Sequence, residues 1–200
     1  MTFVFQKAKT MTWTRPPFDP TTLDDSLSLL EPSSAKIKSK DLEMIIMVGF
    51  PGSGKSYFTR EYLKKEGYEV INNDTLKSVQ KCLSVLEASL KAQKSCVIDN
   101  TNPDASSRKR FIEIAKKFDV PVRCFVMNSN YHHSKHNNMF RELTDPTHSK
   151  IPDVIINTYK SKYQEPDKKE GFKEIVKVNF VPKFTVKEHE QLYRMHLIEK

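Results

Sequence analysis

Five apolar runs alternate with segments of helical periodicity along most of the chain. The runs lie at 44–48, 68–71, 95–98, 122–127 and 174–180. The helical patterns lie between them, at 55–66, 75–93, 103–118, 131–143 and 152–164. Apolar runs separated by helix-length segments are typical of a parallel sheet with helices on both faces. The pattern therefore predicts an α/β fold, in which ligands bind beyond the carboxyl ends of the strands.

The borders of this regular region are also visible in the sequence. Asn102 followed by Pro103 predicts an N-cap and a first helical position, and Pro152 would open the last helix in the same way. Residues 1–40 are instead rich in Pro, Ser, Thr and Asp. We expect a linker or extended arm there, partly docked through Trp13 and Phe18, and one domain over residues 41–200.

A phosphate-binding motif follows the first apolar run. Residues 49–56 read Gly-Phe-Pro-Gly-Ser-Gly-Lys-Ser and match G-x-x-x-x-G-K-[ST] between a predicted strand and a predicted helix. Glycines let backbone amides turn toward anionic oxygens, and the helix N-terminus adds positive partial charge. Lys55 would reach the β- and γ-phosphates of ATP, and the Ser56 hydroxyl would hold Mg²⁺. A glycine-rich turn that matches by chance is the alternative, and the flanking elements argue against it.

Carboxylates follow the next two predicted strands. Asp74 comes after the run at 68–71, where it could accept the proton of an attacking hydroxyl. It could equally be only the N-cap of a helix that starts at Thr75, and position alone does not decide. Asp99 ends the run at 95–98 and resembles a Walker B aspartate, which holds Mg²⁺ or its water. The alternative for Asp99 is a polar turn that enters a helix.

A basic segment follows the fourth predicted strand. Residues 132–143 and the turn-like stretch after them suit a helical lid that folds over the γ-phosphate and brings Arg141 to the developing charge. His132 and His136 have helical spacing, but the Glu of a His-Glu-x-x-His site is missing and there are no partnering cysteines. A zinc site is therefore not expected. The predicted nucleotide-binding residues are Gly49, Phe50, Pro51, Gly52, Ser53, Gly54, Lys55, Ser56, Tyr57 and Arg141.

The charge balance favours a polyanionic partner. The chain of 200 residues has a net charge of +8, and residues 41–200 contribute +6 from 27 basic and 21 acidic residues. ATP alone does not require such an excess, so nucleic acid is a natural candidate, against a merely lysine-rich soluble surface. Basic residues near the starts of the helices after Asp74 and Asp99 could line a groove for a phosphate backbone, or could form solvated helix faces. They are Lys77, Lys81, Arg108, Lys109 and Arg110.

Other compositional features narrow the class of protein. Charged residues make up 29% of the chain and hydrophobic residues 38%, which fits a soluble globular protein. No apolar run approaches the ~20 residues of a membrane span, and the first residues lack a signal-peptide pattern. The three cysteines are too scattered for a disulfide framework, and Cys96 and Cys124 lie in apolar runs as expected for buried thiols. We therefore expect an intracellular protein.

Four segments together resemble the kinase domain of the polynucleotide kinase 3′-phosphatase family. They are residues 48–56, 73–76, 98–104 and 136–145, with a further likeness at 18–20 to the family's link between phosphatase and kinase. The resemblance implies an adenylate-kinase-like phosphate-loop fold, ATP and Mg²⁺ as cofactors, and γ-phosphate transfer to 5′-hydroxyl ends of DNA, or of RNA, in strand-break repair. It also implies a monomer in the nucleus.

The resemblance assigns roles to single residues. Asp74 would be the general base, Lys55 and Ser56 the loop residues that hold phosphate and metal, and Arg141 the lid arginine. Asp99 would support metal or substrate where the two sites meet. The residues that would face the acceptor end are Asn100, Thr101 and Asn102.

The chain departs from the family pattern in several places. Tyr57 replaces a small hydroxyl residue, Asn73 an arginine, and Val79 an aromatic residue, which puts details of nucleotide and nucleic-acid binding in question. The Asp-x-Asp-Gly-Thr phosphatase motif is missing from the chain, so we expect no 3′-phosphatase activity from it. A small-molecule kinase of the same fold and a non-catalytic nucleotide-binding module remain the alternatives.

Overall fold

The sheet has six strands, and five of them are parallel. The computed structural model describes residues 18–24 and 26–195. Trp13 lies outside this range. The strand order is β1-β6-β5-β2-β4-β3, and β1 alone pairs antiparallel, with β6. The strands are β1 (Leu30–Glu31), β2 (Met44–Val48), β3 (Glu69–Ile71), β4 (Cys96–Ile98), β5 (Val122–Asn128) and β6 (Glu174–Asn179). The five predicted strands are confirmed, whereas the two-residue β1 was not predicted.

Helices cover both faces of the sheet, which explains why β2 is apolar throughout. All five β2 residues are fully buried, as expected for a central strand of a parallel sheet. Met44, Ile46 and Val48 pack with the helices after β3 and β4, while Ile45 and Met47 pack with the helix after the phosphate loop. The predicted α/β architecture is therefore confirmed.

Seven helices are present in the described part of the chain. They are α1 (Lys55–Phe58), α2 (Asn73–Leu76), α3 (Val79–Lys91), α4 (Ala105–Lys117), α5 (Tyr131–Thr144), α6 (Asp153–Lys162) and α7 (Lys187–Tyr193). A π turn at Thr59–Leu63 and a 3₁₀ turn at Lys64–Glu66 continue α1, and further 3₁₀ turns lie at Pro20–Thr22 and Lys168–Glu170. The helix predicted over 75–93 is two helices, because Lys77 has a left-handed backbone with φ of 61°. Helix α7 was not predicted.

Two predicted helix starts are wrong by one or two residues. The N-cap of α4 is Asp104, whose carboxylate accepts from the Ser107 amide at 2.7 Å in a capping box. Asn102 lies outside that helix with a positive φ of 45°, and Pro103 is not its first residue. Pro152 is the N-cap of α6 and not its first helical residue.

The second half of the predicted arm packs on the domain. Leu30 pairs with Val178 of β6 and is 4% exposed. The Arg123 guanidinium donates to the carbonyl oxygens of Lys36 at 2.5 Å and Ile37 at 3.0 Å, and pairs with the Glu43 carboxylate at 2.6 Å. These contacts hold residues 30–37 against the rest of the chain at two places.

The buried cysteines agree with the expectation from the apolar runs. Cys82, Cys96 and Cys124 are free and buried, and burial raises the pKa of the Cys96 thiol to about 11. None of the helices within residues 18–24 and 26–195 combines the length and the apolar character that a membrane span needs.

Candidate nucleotide and acceptor site

The phosphate loop joins the end of β2 to the start of α1 and depends on its glycines. A side chain at Gly49 would lie 2.8 Å from the Met127 Cβ, because the loop crosses β5 at close range. Gly52 has a φ of 81°, a conformation that residues with a Cβ rarely adopt. A glycine-containing loop that leads directly into a helix N-terminus is an arrangement that suits phosphate oxygens.

Lys55 lies folded back onto this loop. Its side chain is 8% exposed, and the ammonium group donates to the carbonyl oxygens of Gly49 at 2.9 Å and Phe50 at 2.7 Å. Burial lowers the pKa of Lys55 to about 8, although the charges of Asp99 and Asp74 act in the opposite direction. Lys55, Asp99 and Asp74 therefore lie within electrostatic range of one another.

The lowered pKa of Lys55 predicts proton uptake when ATP binds. Phosphate charges favour the ammonium form, so ATP affinity should be full below pH 8 and fall as the pH rises through about 8. At pH 9 binding should take up roughly one proton, and at pH 7 almost none. Calorimetry in two buffers of different ionisation enthalpy measures this uptake. Adenosine, which has no phosphate, is the control, and equal uptake with adenosine would contradict the role of Lys55.

Asp99 supplies a buried carboxylate directly after β4. The side chain is 5% exposed, and its Oδ1 has no hydrogen-bond partner among the described residues. Burial raises the pKa of this carboxyl, while a contact with the Ser56 hydroxyl and the charge of Lys55 lower it. A buried acceptor oxygen without a donor beside a hydroxyl fits a hard divalent cation. Residues 18–24 and 26–195 contain no group of three or more His, Cys, Asp or Glu side chains that could hold a metal ion. Such a cation would therefore rely on phosphate oxygens as well.

Asp74 lies on α2 and does not cap it. The cap is Asn72, whose side-chain oxygen accepts from the amides of Asp74 at 2.7 Å and Thr75 at 3.2 Å. The alternative that Asp74 is only an N-cap is therefore wrong. Asp74 is exposed to solvent.

Asparagine side chains join the loops after β3 and β4. The Asn72 amide donates to the Asp99 carbonyl at 2.5 Å, and the Asn73 backbone amide donates to Asn100 Oδ1 at 2.8 Å. These two bonds bring the start of α2 next to the end of β4. They explain why Asp74 lies near Asp99, although 25 residues separate them in the sequence.

Two residues predicted to face the acceptor are structural. Asn102 is 3% exposed, and its amide donates to the Met47 carbonyl at 2.8 Å. Arg108 is fully buried, pairs with Glu170 at 2.7 Å, and donates to the Asn102 carbonyl at 3.1 Å. Neither side chain can reach an acceptor strand, so these two predictions are wrong. Thr101 is half-buried, and its carbonyl accepts from the Gly49 amide at 3.3 Å.

Replacing Arg108 should therefore reduce stability and not nucleic-acid affinity. Arg108→Leu leaves Glu170 and two carbonyl oxygens without their donor, at a cost of about 3 kcal/mol in the free energy of unfolding. The exposed neighbour change Lys109→Ala should alter it by less than ~0.5 kcal/mol. Urea denaturation measures both. Unchanged stability with weaker binding of an oligonucleotide would restore the groove assignment for Arg108.

The remaining predicted basic residues lie on the surface. Lys77, Lys81, Lys109 and Arg110 are all exposed. Lys77 is the C-cap of α2, Lys81 lies on the first turn of α3, and Lys109 and Arg110 lie on the second turn of α4. Their contact with a phosphate backbone stays a prediction.

The N-terminal half of α5 packs directly on the phosphate loop. The Ser134 hydroxyl donates to the Pro51 carbonyl, and the Asn137 amide donates to the Gly52 carbonyl at 2.9 Å. Arg141 is four residues beyond Asn137 and seven beyond Ser134, so it lies on the same helix face. Its side chain is 49% exposed and pairs with Asp145 at 3.6 Å. It thus lies one helical turn beyond Asn137, which contacts the loop.

The histidines of this helix hold it in place. His133 is 4% exposed and lies 3.0 Å from the Tyr193 hydroxyl, and the His136 ring nitrogen lies 2.7 Å from the Tyr193 carbonyl. The Phe18 ring stacks on His133 at 4.2 Å. Phe18 near the start of the described chain and Tyr193 near its end therefore both hold α5 in place. The sequence motifs gave no sign of Tyr193, which lies on the unpredicted α7.

Tyr57 lies on α1, two residues after Lys55. Its side chain is 47% exposed, and the Arg60 guanidinium lies 5.4 Å from the ring centroid. The ring is exposed to solvent, and a contact between Tyr57 and the nucleotide stays a prediction.

The fold and the loop define the class of protein to which the chain belongs. The family described as AAA domain matches residues 44–166, which is more than half of the chain and includes the phosphate loop, Asp74, Asp99 and Arg141. The chain therefore belongs to the AAA domain family. It is similar to the Bifunctional polynucleotide phosphatase/kinase of Schizosaccharomyces pombe, with 41% identity over 143 residues. That alignment covers 72% of this chain and 35% of the relative.

A second curated relative and a solved structure agree with this class. A protein of Acanthamoeba polyphaga mimivirus is 38% identical over 164 residues, which are 81% of this chain and 39% of that protein. The chain thus spans little more than a third of the length of these curated relatives. A gluconokinase from Sinorhizobium meliloti 1021 has a TM-score of 0.53 at 15% identity, over 80% of this chain and 91% of that chain. At that identity the likeness shows the fold alone. The family resemblance drawn from the motifs is confirmed.

Proposed function

We propose that the chain is an ATP-dependent polynucleotide 5′-hydroxyl kinase. The observation that carries the proposal is the pair of carboxylates near Lys55, one of them buried and the other exposed to solvent. Asp99 is buried, Asp74 is exposed, and the charges of both act on Lys55. A nucleotide-binding module needs only the first of these. The similarity to the Schizosaccharomyces pombe phosphatase/kinase supports a polynucleotide as acceptor.

The phosphate loop and the residues around it would hold the donor, ATP. Backbone amides of the loop and the Lys55 ammonium would bind the β- and γ-phosphates, once Lys55 leaves the carbonyls of Gly49 and Phe50. The Ser56 hydroxyl and the Asp99 carboxylate would hold Mg²⁺, which neutralises phosphate charge when bound. Arg141 would approach the γ-phosphate from α5 and stabilise the charge that develops on it.

The exposed surface around Asp74 would hold the acceptor, the 5′-hydroxyl end. Asp74 would accept the proton of the 5′-hydroxyl while its oxygen attacks the γ-phosphorus in line. One oxygen–phosphorus bond forms, the bond from the γ-phosphorus to the bridging oxygen breaks, and ADP leaves. The Asn100 side chain, tied to the start of α2, would keep Asp74 at the right distance. Most of the rate enhancement would come from positioning and electrostatics.

The acceptor strand would run over the exposed basic residues next to Asp74. Lys77 and Lys81 on one side and Lys109 on the other would contact its phosphates. We further propose DNA ends as the main substrate, RNA ends as a second one, a monomeric enzyme, and a nuclear role in DNA repair. Binding by such contacts should weaken steeply with salt.

One assay tests the proposal. The protein is incubated with γ-labelled ATP, Mg²⁺ and a 5′-hydroxyl oligonucleotide, and with the same oligonucleotide already carrying a 5′-phosphate as control. Label on the first alone is expected. Transfer to free nucleosides in a parallel reaction, with none to the oligonucleotide, would indicate a small-molecule kinase. ATP binding without any transfer would indicate a binding module.

A further inference from the structure

Helix α7 is connected to the phosphate loop by a buried chain of hydrogen bonds. We propose that Tyr193 and Asn137 are positioning residues of the nucleotide site, through which α7 keeps the loop in its phosphate-binding shape. The inference deepens the proposed function and rests on it only in taking the loop to bind nucleotide phosphates.

The first step is the contact of Asn137 with the loop. Its amide donates to the Gly52 carbonyl at 2.9 Å. The C=O and N–H groups of a trans peptide point in opposite directions, so holding the Gly52 carbonyl on α5 turns the Ser53 amide back into the loop. There it donates to the Phe50 carbonyl at 3.1 Å and closes the turn. Asn137 thus fixes the peptide that sets the curvature of the loop.

The second step is the orientation of Asn137 itself. The Tyr193 hydroxyl donates to Asn137 Oδ1. A carboxamide has one oxygen and one NH₂ group, so with the NH₂ group on the Gly52 carbonyl only its oxygen can receive the hydroxyl proton. The opposite orientation would place the oxygen against a carbonyl. Tyr193 therefore selects the one orientation in which Asn137 holds the loop.

The third step is the orientation of the Tyr193 hydroxyl. Its single proton goes to Asn137, so the His133 ring nitrogen at 3.0 Å must be the donor to the hydroxyl oxygen. Burial and the neighbouring His136 lower the pKa of His133 to about 3, so this ring stays neutral at working pH. His136 in turn lies 2.7 Å from the Tyr193 carbonyl, which can only accept.

Burial makes these bonds difficult to replace with water. Tyr193 is 2% exposed and Asn137 is 5% exposed. The Tyr193 ring lies 4.9 Å from the Phe140 ring and stacks on Phe180 at 5.9 Å. Removing the hydroxyl would leave the buried Asn137 oxygen without a hydrogen-bond donor. The free-energy cost is larger than that of losing a hydrogen bond at the surface, because water cannot replace the donor.

A pair of tyrosine variants tests the inference. Tyr193→Phe keeps the ring and removes the hydroxyl. Tyr159→Phe is the matched control, because Tyr159 is also buried, at 4% exposed, and also lies near the loop, but its hydroxyl has no partner in the described part of the chain. Tyr193→Phe should weaken ADP and ATP binding about tenfold, whereas Tyr159→Phe should leave it unchanged. Affinity for adenosine, which lacks phosphates, should be the same in both.

Further measurements separate positioning from a general structural role. In Tyr193→Phe the KM for ATP should rise, while the KM for the oligonucleotide stays the same. Asn137→Asp, which keeps an acceptor for Tyr193 but loses the donor to Gly52, should show the same pattern and serves if Tyr193→Phe does not fold. Equal loss of adenosine and ATP affinity would overturn the inference, as would equal ATP affinity in the two tyrosine variants. ATP binding that depends on Tyr193, without transfer to an oligonucleotide, would support the inference and refute the proposed function.

Discussion

Asp74→Asn should reduce phosphate transfer to a 5′-hydroxyl oligonucleotide by about 10²–10⁴-fold, the range that a positioned general base contributes. ATP binding should change little, because the Asp74 carboxylate is exposed and only its backbone amide takes part in the hydrogen bond to Asn72. The asparagine side chain has the same shape and cannot accept the hydroxyl proton. Single-turnover transfer of labelled phosphate, with a separate titration of ATP, measures the two quantities.

A matched control and a clear contrary outcome are available for this variant. Asp41→Asn removes a charge from another exposed aspartate, located before β2 at the opposite end of the strands from the loop. It should leave transfer unchanged. Wild-type turnover in Asp74→Asn would show that the base is another group. A parallel loss of ATP affinity would show instead that Asp74 acts on the donor, through its electrostatic interaction with Lys55.

Lys55→Ala should weaken ATP binding and turnover together, with a loss of about 10²–10³-fold in turnover. The ammonium is the buried cation beside the loop carbonyls, and its removal takes charge from the place where phosphate negative charge must be stabilised. Binding of a fluorescent ATP analogue and the transfer assay give the two losses. Lys64→Ala, an exposed lysine on the turn after α1, is the control. If Lys55→Ala bound ATP normally and lost only turnover, the lysine would act on the transition state alone.

The elements with strong local signals could be predicted from the sequence. β2 is five apolar residues in a row and is buried on both faces. The loop after it has the spacing of glycine, lysine and serine that is typical of a phosphate-binding loop. β1 could not be predicted, because two residues have no periodicity. The break between α2 and α3 was also missed, since a left-handed lysine at position 77 is allowed but not indicated by its side chain.

The sequence could predict the positions of residues that come soon after a strand. It could not predict positions that depend on burial by residues distant in the sequence. Asp99 follows β4 directly, Asp74 comes three residues after β3, and Lys55 comes seven residues after β2. The order of the strands brings all three to one edge of the sheet. Arg108 also lies near that edge in the sequence, but its partner Glu170 is 62 residues away, and only the folded chain shows that the pair is buried. The same holds for Tyr193, whose effect on the loop passes through Asn137, 56 residues away.

Strand β1 has a consequence for how molecules of this protein behave toward each other. The outer edge of β6 would present a row of unpaired backbone groups if Leu30–Glu31 were removed, and such an edge is a template for pairing with another chain. The arm therefore protects the sheet from edge-to-edge aggregation, in addition to what its packing contributes. A fragment that starts at residue 41, where the composition changes, would lose this protection, whereas one that starts before Ser26 would keep it.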